Sequence, residues 1–287
     1  MKRILVPTDF SVFAQNALHV AAHIVRKTNG EIFLLNVNEV SSQNAPLAGF
    51  YIDKTVEEQY LQLLTASVQR ALDEILKSPE LADVKINTLI EVGSLTSKIN
   101  EVAQRIEADL IVMGTKGASG LEEVLVGSNT ERVVRTASVP VLTINQAVEK
   151  GAFHKIAFAT TLKSDQLVGF KRLAEFQKIF NSKVFLLYLN NPAGFSNDQE
   201  MQARYQELVK ESGLENTELV TSSTLDEQQA IMRFADEIDA DLIVMATHQR
   251  QGLWHFLVGS LTEDVVNHSH KPVLSISIKK VESKVLA

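Results

Sequence analysis

The chain carries the same sequence pattern twice, and this duplication limits the folds open to it. Residues 107–113 are Glu-Ala-Asp-Leu-Ile-Val-Met, and residues 239–245 are Asp-Ala-Asp-Leu-Ile-Val-Met. Two further matches keep the same register without a gap: Leu-Val-Gly-Ser at 125–128 and 257–260, and Pro-Val-Leu-Thr/Ser-Ile at 140–144 and 272–276. Agreement over that length indicates an internal duplication, so the sequence predicts two copies of one fold.

Length and composition fit two such copies. The chain has 287 residues, of which 45% are hydrophobic and 22% charged, as in globular proteins with a full core. Two domains of average size are therefore expected, at residues 1–146 and 152–287, with a short connection between them.

Short apolar runs alternate with helical patterns through the first half. The expected strands lie at 3–6, 32–37, 86–92, 110–113 and 139–144, and the expected helices follow Ser11 and run over 56–77, 95–107 and from 129. Ser11 is a candidate N-cap, Asn29-Gly30 ends its helix, and the poorly patterned stretch 38–55 is expected to be a loop that could act as a lid. Strict alternation of apolar strands with helices predicts a doubly wound, Rossmann-like parallel sheet of five strands in each half.

A glycine-rich stretch joins the fourth strand to the next helix. It runs from Gly114 through Gly117 to Gly127 and Ser128, directly after a buried apolar strand. Glycines allow close backbone approach, and the first amides of a helix have no partner of their own, so this arrangement suits a phosphate group. Ser128 and Thr130 add hydroxyl donors. Turn chemistry alone explains the same glycines equally well.

These features together resemble the universal stress protein family in its tandem form. The family's nucleotide-binding members carry Gly-x2-Gly-x9-Gly-(Ser/Thr), which is complete here at Gly114, Gly117, Gly127 and Ser128. An acidic residue at the end of the first strand is matched by Asp9. The resemblance implies an adenine nucleotide alpha-hydrolase-like fold that binds ATP at the carboxyl ends of its strands.

The resemblance also implies the residues of the site. ATP, with or without Mg²⁺, would contact a set drawn from the strand ends and the glycine motif: Pro7, Thr8, Asp9, Val37, Met113, Gly114, Gly117, Gly127, Ser128, Asn129 and Thr130. From its residue type alone, Asp9 is as well suited to capping the helix after Ser11. Val37 is as well suited to ordinary core packing.

The second half departs from the motif. Ala246 and Gln249 replace the first two glycines, although Gly259 and Ser260 remain, and Thr161 replaces the acidic residue. Trp254, His255 and Arg250 crowd the same loop. We therefore expect the second half to bind ATP weakly or not at all.

No catalytic constellation is evident. The loop lacks the Gly-Lys-Ser/Thr ending of a P-loop, and Gly-x-Ser-x-Gly is absent. Lys116, Glu122 and Glu123 are expected to face solvent. The pairs His19/His23 and His268/His270 lack a third ligand in register, so a metal is not expected.

Three functions remain open at this point. The leading one is an ATP-binding regulatory module of the stress response, which hydrolyses ATP slowly if at all. The alternatives are a nucleotide-independent interaction scaffold and a Mg²⁺-dependent ATPase. The last strands of the halves, 139–144 and 273–278, are expected to pair within the chain, as the family's subunits do, and a homodimer of tandem chains stays open.

Net charge and cysteine content limit the kinds of partner and metal site that are expected. A net charge of −7 disfavours nucleic acid and anionic membranes, and the absence of cysteine excludes disulfides and thiolate metal sites. No signal-peptide pattern or membrane span is evident, so the expectation is a cytoplasmic protein. The sequence does not identify a protein partner.

Overall fold

In the computed structural model, the described residues are 1–39, 54–115, 128–148, 153–190, 197–224, 226–248 and 260–278. The first half contains β1 Arg3–Pro7, α1 Val12–Thr28, β2 Glu31–Asn38, α2 Lys54–Leu76, β3 Ile86–Val92, α3 Leu95–Arg105, β4 Leu110–Gly114, α4 Ser128–Thr136 and β5 Val141–Ile144. The second half contains β6 Lys155–Thr160, α5 Leu167–Phe180, β7 Lys183–Asn190, α6 Asp198–Ser212, β8 Thr217–Ser223, α7 Glu227–Glu237, β9 Leu242–His248, α8 Ser260–His268 and β10 Val273–Ile278.

The element order confirms the predicted alternation, with small shifts at the ends. The third helix ends at Arg105 because Glu107 takes a left-handed conformation with φ of 49°. The last strand of the first half begins at Val141, since Pro140 has no N–H to give to a ladder. Of the predicted loop 38–55, residues 40–53 lie outside the described residues.

The ends of α1 are set by local chemistry, as the sequence predicted. The Ser11 hydroxyl accepts a hydrogen bond from the Ala14 nitrogen at 3.2 Å, which satisfies one of the free amides of the first turn. Asn29 ends the helix in the left-handed conformation, and its N–H bonds the Val25 carbonyl.

Within the described residues, ten strands form one sheet in the order β3-β2-β1-β4-β5-β10-β9-β6-β7-β8. Strands are parallel inside each half, and β5 pairs with β10 antiparallel, with Leu142 opposite Leu274. The two halves are thus joined edge to edge by their last strands. In each half the order reverses beside the first strand, between β1 and β4 and between β6 and β9.

Helices cover both faces of this sheet. One core cluster lies under α1, α2, α5 and α6 and runs through both halves, with Leu18, Leu72, Phe176 and Leu208 among its members. On the other face, α3 with α4 and α7 with α8 cover two separate clusters. Two-sided cover explains why the central strands are apolar on successive residues.

Candidate functional site

The candidate site lies at the carboxyl ends of β1, β2 and β4. In a doubly wound sheet the ligand crevice opens there, beside the point where the strand order reverses. Pro7 ends β1, and Met113 with Gly114 ends β4 beside it. α4 returns antiparallel to β4, so its amino terminus at Ser128 faces the same edge. Gly117 and Gly127 lie outside the described residues.

The turn after β1 is built by side chains that bond the backbone. Buried Thr8 accepts from the Phe10 nitrogen at 3.1 Å, and Asp9 Oδ1 accepts from the Ser11 nitrogen at 3.0 Å. Phe10 holds a left-handed conformation with φ of 65°, unusual for an aromatic residue, and its side chain packs against the core.

Asp9 therefore fixes the turn before α1 and does not itself cap the helix, whose N-cap is Ser11. Its hydrogen bond to the Ser11 nitrogen uses one carboxylate oxygen. Asp9 follows the carboxyl end of β1 and is exposed to solvent.

Two apolar residues of the predicted set border the same edge. Met113 is buried in the core beneath α3 and α4, and half-buried Val37 packs against that cluster. Pro7 is buried, and Thr130 on α4 is also buried, while Asn129 is half-buried. Val37 thus contacts the core, as one of the two interpretations of the sequence expected, and its contact with a base stays a prediction.

Gly114 is required by packing, independently of any ligand. A Cβ at this position would come within 2.6 Å of the Ala14 nitrogen and closer still to the Phe13 carbonyl group. The strand can pass the first turn of α1 only because residue 114 has no side chain. The sequence had assigned this glycine to ligand approach, and the structure adds a second reason for it.

Three polar atoms at this edge are buried without a partner. They are Asn36 Oδ1, Asn38 Nδ2 and Thr115 Oγ1. The other end of the Asn36 amide donates to the Thr8 carbonyl at 2.8 Å, and the Thr115 nitrogen donates to the Ile144 carbonyl. Buried polar atoms without partners are costly, and a ligand or a water molecule could supply the missing bonds. Elsewhere in the described residues, Asn145, Asn267, Ser275 and Ser277 carry such atoms as well.

The sequence analysis had missed these three residues. Its available signal was the pattern of β2, where Asn36 and Asn38 interrupt an otherwise apolar buried strand. Thr115 directly follows the apolar β4. Polar residues at the ends of buried parallel strands are candidates for ligand contacts, because the crevice opens there.

The second half repeats the turn geometry without the acidic residue. Leu162 is left-handed with φ of 53°, and Thr160 Oγ1 accepts from its nitrogen at 3.0 Å, as Thr8 does for Phe10. Ala246 stands at the position of Gly114, and its Cβ faces Gly169 on α5. Gln249, Arg250, Trp254, His255 and Gly259 lie outside the described residues.

The histidine pairs do not converge on a metal. His19 Nδ1 lies 3.4 Å from Glu80, whereas His23 stacks on Phe180 of α5. Burial, with Lys27 and Arg26 nearby, lowers the pKa of His23. Within the described ranges no group of three potential ligands is present. Lys116, Glu122 and Glu123 lie outside them.

Fold and site together define a class: a duplicated, doubly wound α/β protein with polar side chains at the strand ends of its first half. The model of the universal stress protein family matches this chain twice, over residues 1–145 and 152–277. The chain therefore belongs to the universal stress protein family.

Individual relatives agree with this assignment. Universal stress protein Slr1230 of Synechocystis sp. is 25% identical over 297 residues, covering 96% of this chain and 99% of the relative. Universal stress protein MJ0531 of Methanocaldococcus jannaschii is 37% identical over 145 residues, covering 50% and 82%. The structure of a universal stress protein from Archaeoglobus fulgidus superposes with a TM-score of 0.75 at 21% identity, covering 96% and 98%, and shares the fold.

Among the helices of the described residues, none is long and apolar enough to span a membrane.

Proposed function

We propose that the first half of the chain binds an adenine nucleotide, ATP in the first instance, and acts as a regulatory module of the stress response. Nucleotide occupancy would set its conformation or its choice of protein partner. The nucleotide-binding unit would be residues 1–146, and residues 152–287 would form the second unit.

The observation that carries this proposal is the set of unpartnered polar atoms at one sheet edge. Asn36 Oδ1, Asn38 Nδ2 and Thr115 Oγ1 are buried, and each lacks a hydrogen bond. They lie at the ends of β2 and β4, at the edge to which the glycine motif belongs. A nucleotide offers both donors and acceptors, and therefore fits such a mixed set.

The residues present fit the parts of a nucleotide. Asp9 is suited to accept from the ribose or the base, and the apolar surfaces of Val37 and Met113 to contact the base. The first amides of α4, with Ser128 and Thr130, are suited to the phosphates, because the amino end of a helix attracts anions. Mg²⁺ would accompany the triphosphate.

Gly114 supports the rival proposal of a nucleotide-independent scaffold. Since α1 requires a glycine there, that part of the motif does not by itself demand a phosphate. The two proposals differ in one measurable quantity, the nucleotide bound per chain.

The first experiment is to denature the purified chain and to identify and quantify the released nucleotide by mass spectrometry. The proposal expects one adenine nucleotide per chain, and titration calorimetry with ATP, ADP and AMP ranks the ligands. A chain that carries none and binds none supports the scaffold. A turnover assay with Mg²⁺ tests the third function, a true ATPase.

A matched pair of variants tests the motif. Gly117→Val should abolish ATP binding while leaving the fold intact, because a branched side chain would occupy the space of the phosphates. Gln249→Val makes the same change at the corresponding position of the second half and should leave binding unchanged. Equal affinity of Gly117→Val and the unchanged chain would contradict the proposed site.

A further inference from the structure

The two halves differ most clearly at one buried position at the start of their first helices. Asn29 and Asn181 end α1 and α5 in the same left-handed conformation, and Phe10 and Leu162 share the left-handed turn before them. Both pairs are separated by the same number of residues, so no insertion lies between turn and helix end. In that register Gln166 of the second half corresponds to Ala14 of the first.

The Gln166 side chain is turned into the strand end of the second half. Its Oε1 accepts from the Thr160 hydroxyl at 2.6 Å and from the Thr161 nitrogen at 3.1 Å. The residue is only 3% exposed. Burying a carboxamide is unfavourable unless it is hydrogen-bonded, and here the carboxamide oxygen has two donors.

The backbone at this position also differs between the halves. Residues Ser164–Gln166 form a short 3₁₀ turn, so that α5 begins only at Leu167. In the first half the corresponding residues are already part of α1, which begins at Val12. Ala246 of β9 faces Gly169 on α5 in this half.

The first half has the same donors but no such acceptor. Thr8 and the Asp9 nitrogen correspond to Thr160 and the Thr161 nitrogen. Ala14 stands where Gln166 would be, and its buried methyl group accepts no hydrogen bond. Nearby, Asn36 Oδ1 and Thr115 Oγ1 are unpartnered. Among the described residues of the second half, Asn267, Ser275 and Ser277 carry buried unpartnered atoms, and these lie on α8 and β10.

We propose that the Gln166 carboxamide is a built-in ligand that fills the strand-end crevice of the second half, and that Ala14 leaves the crevice of the first half open to nucleotide. The Gln166 oxygen accepts hydrogen bonds from the Thr160 hydroxyl and the Thr161 nitrogen. In the first half, an acceptor atom of the nucleotide, a purine nitrogen or a ribose oxygen, accepts the equivalent bonds from the Thr8 hydroxyl and the Asp9 nitrogen. This inference rests on the proposed function. It identifies Gln166 as the residue whose side chain closes the second half to nucleotide.

The first test introduces the same residue into the first half. Ala14→Gln should weaken ATP binding at least tenfold more than Ala14→Met, because methionine has a similar length but offers no carboxamide oxygen. Thermal unfolding checks that both variants fold. Unchanged affinity in Ala14→Gln, or an equal loss in both variants, would overturn the proposal.

The second test needs no nucleotide, so it separates a failure of this inference from a failure of the proposed function. Amide hydrogen exchange of the nucleotide-free chain is followed by NMR for Thr161 and Leu162. Gln166→Met should speed exchange at Thr161 about tenfold or more, since that N–H loses its acceptor. Leu162, whose N–H bonds Thr160, is the internal control. Unchanged exchange at Thr161 would refute the built-in ligand even if the first half binds ATP.

Discussion

Arg135 on α4 forms an ion pair with Glu263 on α8, with Nε 3.0 Å from Oε1. Glu131, the counterpart of Glu263 in the first half, also pairs with Arg135. The guanidinium group therefore bridges two carboxylates that come from the two halves. Asp264 adds a further negative charge next to them.

This cluster makes the junction of the halves sensitive to pH. Burial raises the pKa of Glu263, and the neighbouring Glu131 carboxyl raises it further, while Arg135 opposes the shift. A carboxyl whose pKa is raised on folding stabilises the fold fully below its unfolded pKa. That stabilisation is lost as the pH rises through the raised value.

Glu263→Gln should therefore flatten the pH dependence of stability above the ordinary glutamate range. The free energy of unfolding is measured by urea denaturation from pH 4 upward, in steps of about one pH unit. Glu175→Gln removes an exposed carboxylate and is the control. If the free energy of unfolding varies with pH equally steeply in Glu263→Gln and in the unchanged chain, the Glu263 carboxyl does not cause this pH dependence.

Gly114→Ala should lower the free energy of unfolding by about 1–3 kcal/mol, the usual cost of overpacking. The added methyl group would collide with the α1 backbone at Phe13 and Ala14. Ala246→Gly, at the same position of the second half, removes a methyl group and should cost about 1 kcal/mol or less. Equal stability of Gly114→Ala and the unchanged chain would mean that α1 can move away freely.

Asp109→Asn should destabilise the chain by about 1–2 kcal/mol at neutral pH, since hydrogen bonds to a charged acceptor are the stronger kind. Asp109 Oδ2 accepts from the nitrogens of Lys2 and Arg3 at 2.6 and 3.0 Å. Burial opposes ionisation of this carboxyl, but the two backbone bonds, together with the positive charges of the Met1 amino group and Arg3, outweigh it and lower its pKa. The stabilisation is therefore present above the ordinary aspartate pKa and is lost as the pH falls through the lowered value.

Glu107→Gln is the control for Asp109→Asn, because it alters an exposed ion pair with the same Arg3 and should change stability by less than about 0.5 kcal/mol. In the second half, Asp241 Oδ2 accepts hydrogen bonds from the backbone nitrogens of His154 and Lys155 at 2.8 Å each. Asp241→Asn should thus repeat the cost of Asp109→Asn. Comparable stability of the Asp109 and Glu107 variants at neutral pH would contradict this account.

Thr115→Val should leave the nucleotide-free chain as stable as before, or more stable, since it removes an unpartnered buried hydroxyl. If nucleotide supplies the missing bond, ATP affinity should fall about fivefold, near 1 kcal/mol. Thr143→Val is the matched control, because its buried hydroxyl donates to the Val273 carbonyl and its loss should cost about 1 kcal/mol. Destabilisation of Thr115→Val to the same degree would show that Thr115 has a partner.

Local patterns were sufficient to predict the elements. The apolar run 110–113 and its copy at 242–245 are strands, and Ser11 caps α1 because a hydroxyl before an apolar-periodic segment satisfies a free amide. These features depend on residues close in sequence, and a single chain displays them directly.

What the sequence did not reveal depends on distant residues. Nothing near Gly114 in the chain indicates that Phe13 and Ala14 lie against it. Thr115 is unpartnered only because of what surrounds it in the fold. Gln166 is the exception, since its partners Thr160 and Thr161 are close to it in the sequence and only their geometry was not evident.

The antiparallel pairing of β5 with β10 also decides where the two crevices open. Because every strand of a half runs parallel to its last strand, the carboxyl ends of the first half and of the second half lie along opposite margins of the shared sheet. A molecule bound at one margin cannot touch the other. Any influence of nucleotide on the second half must therefore cross the middle of the protein, where the paired strands, the α4–α8 contact at Arg135, the α1–α5 contact and the shared core cluster connect the two halves.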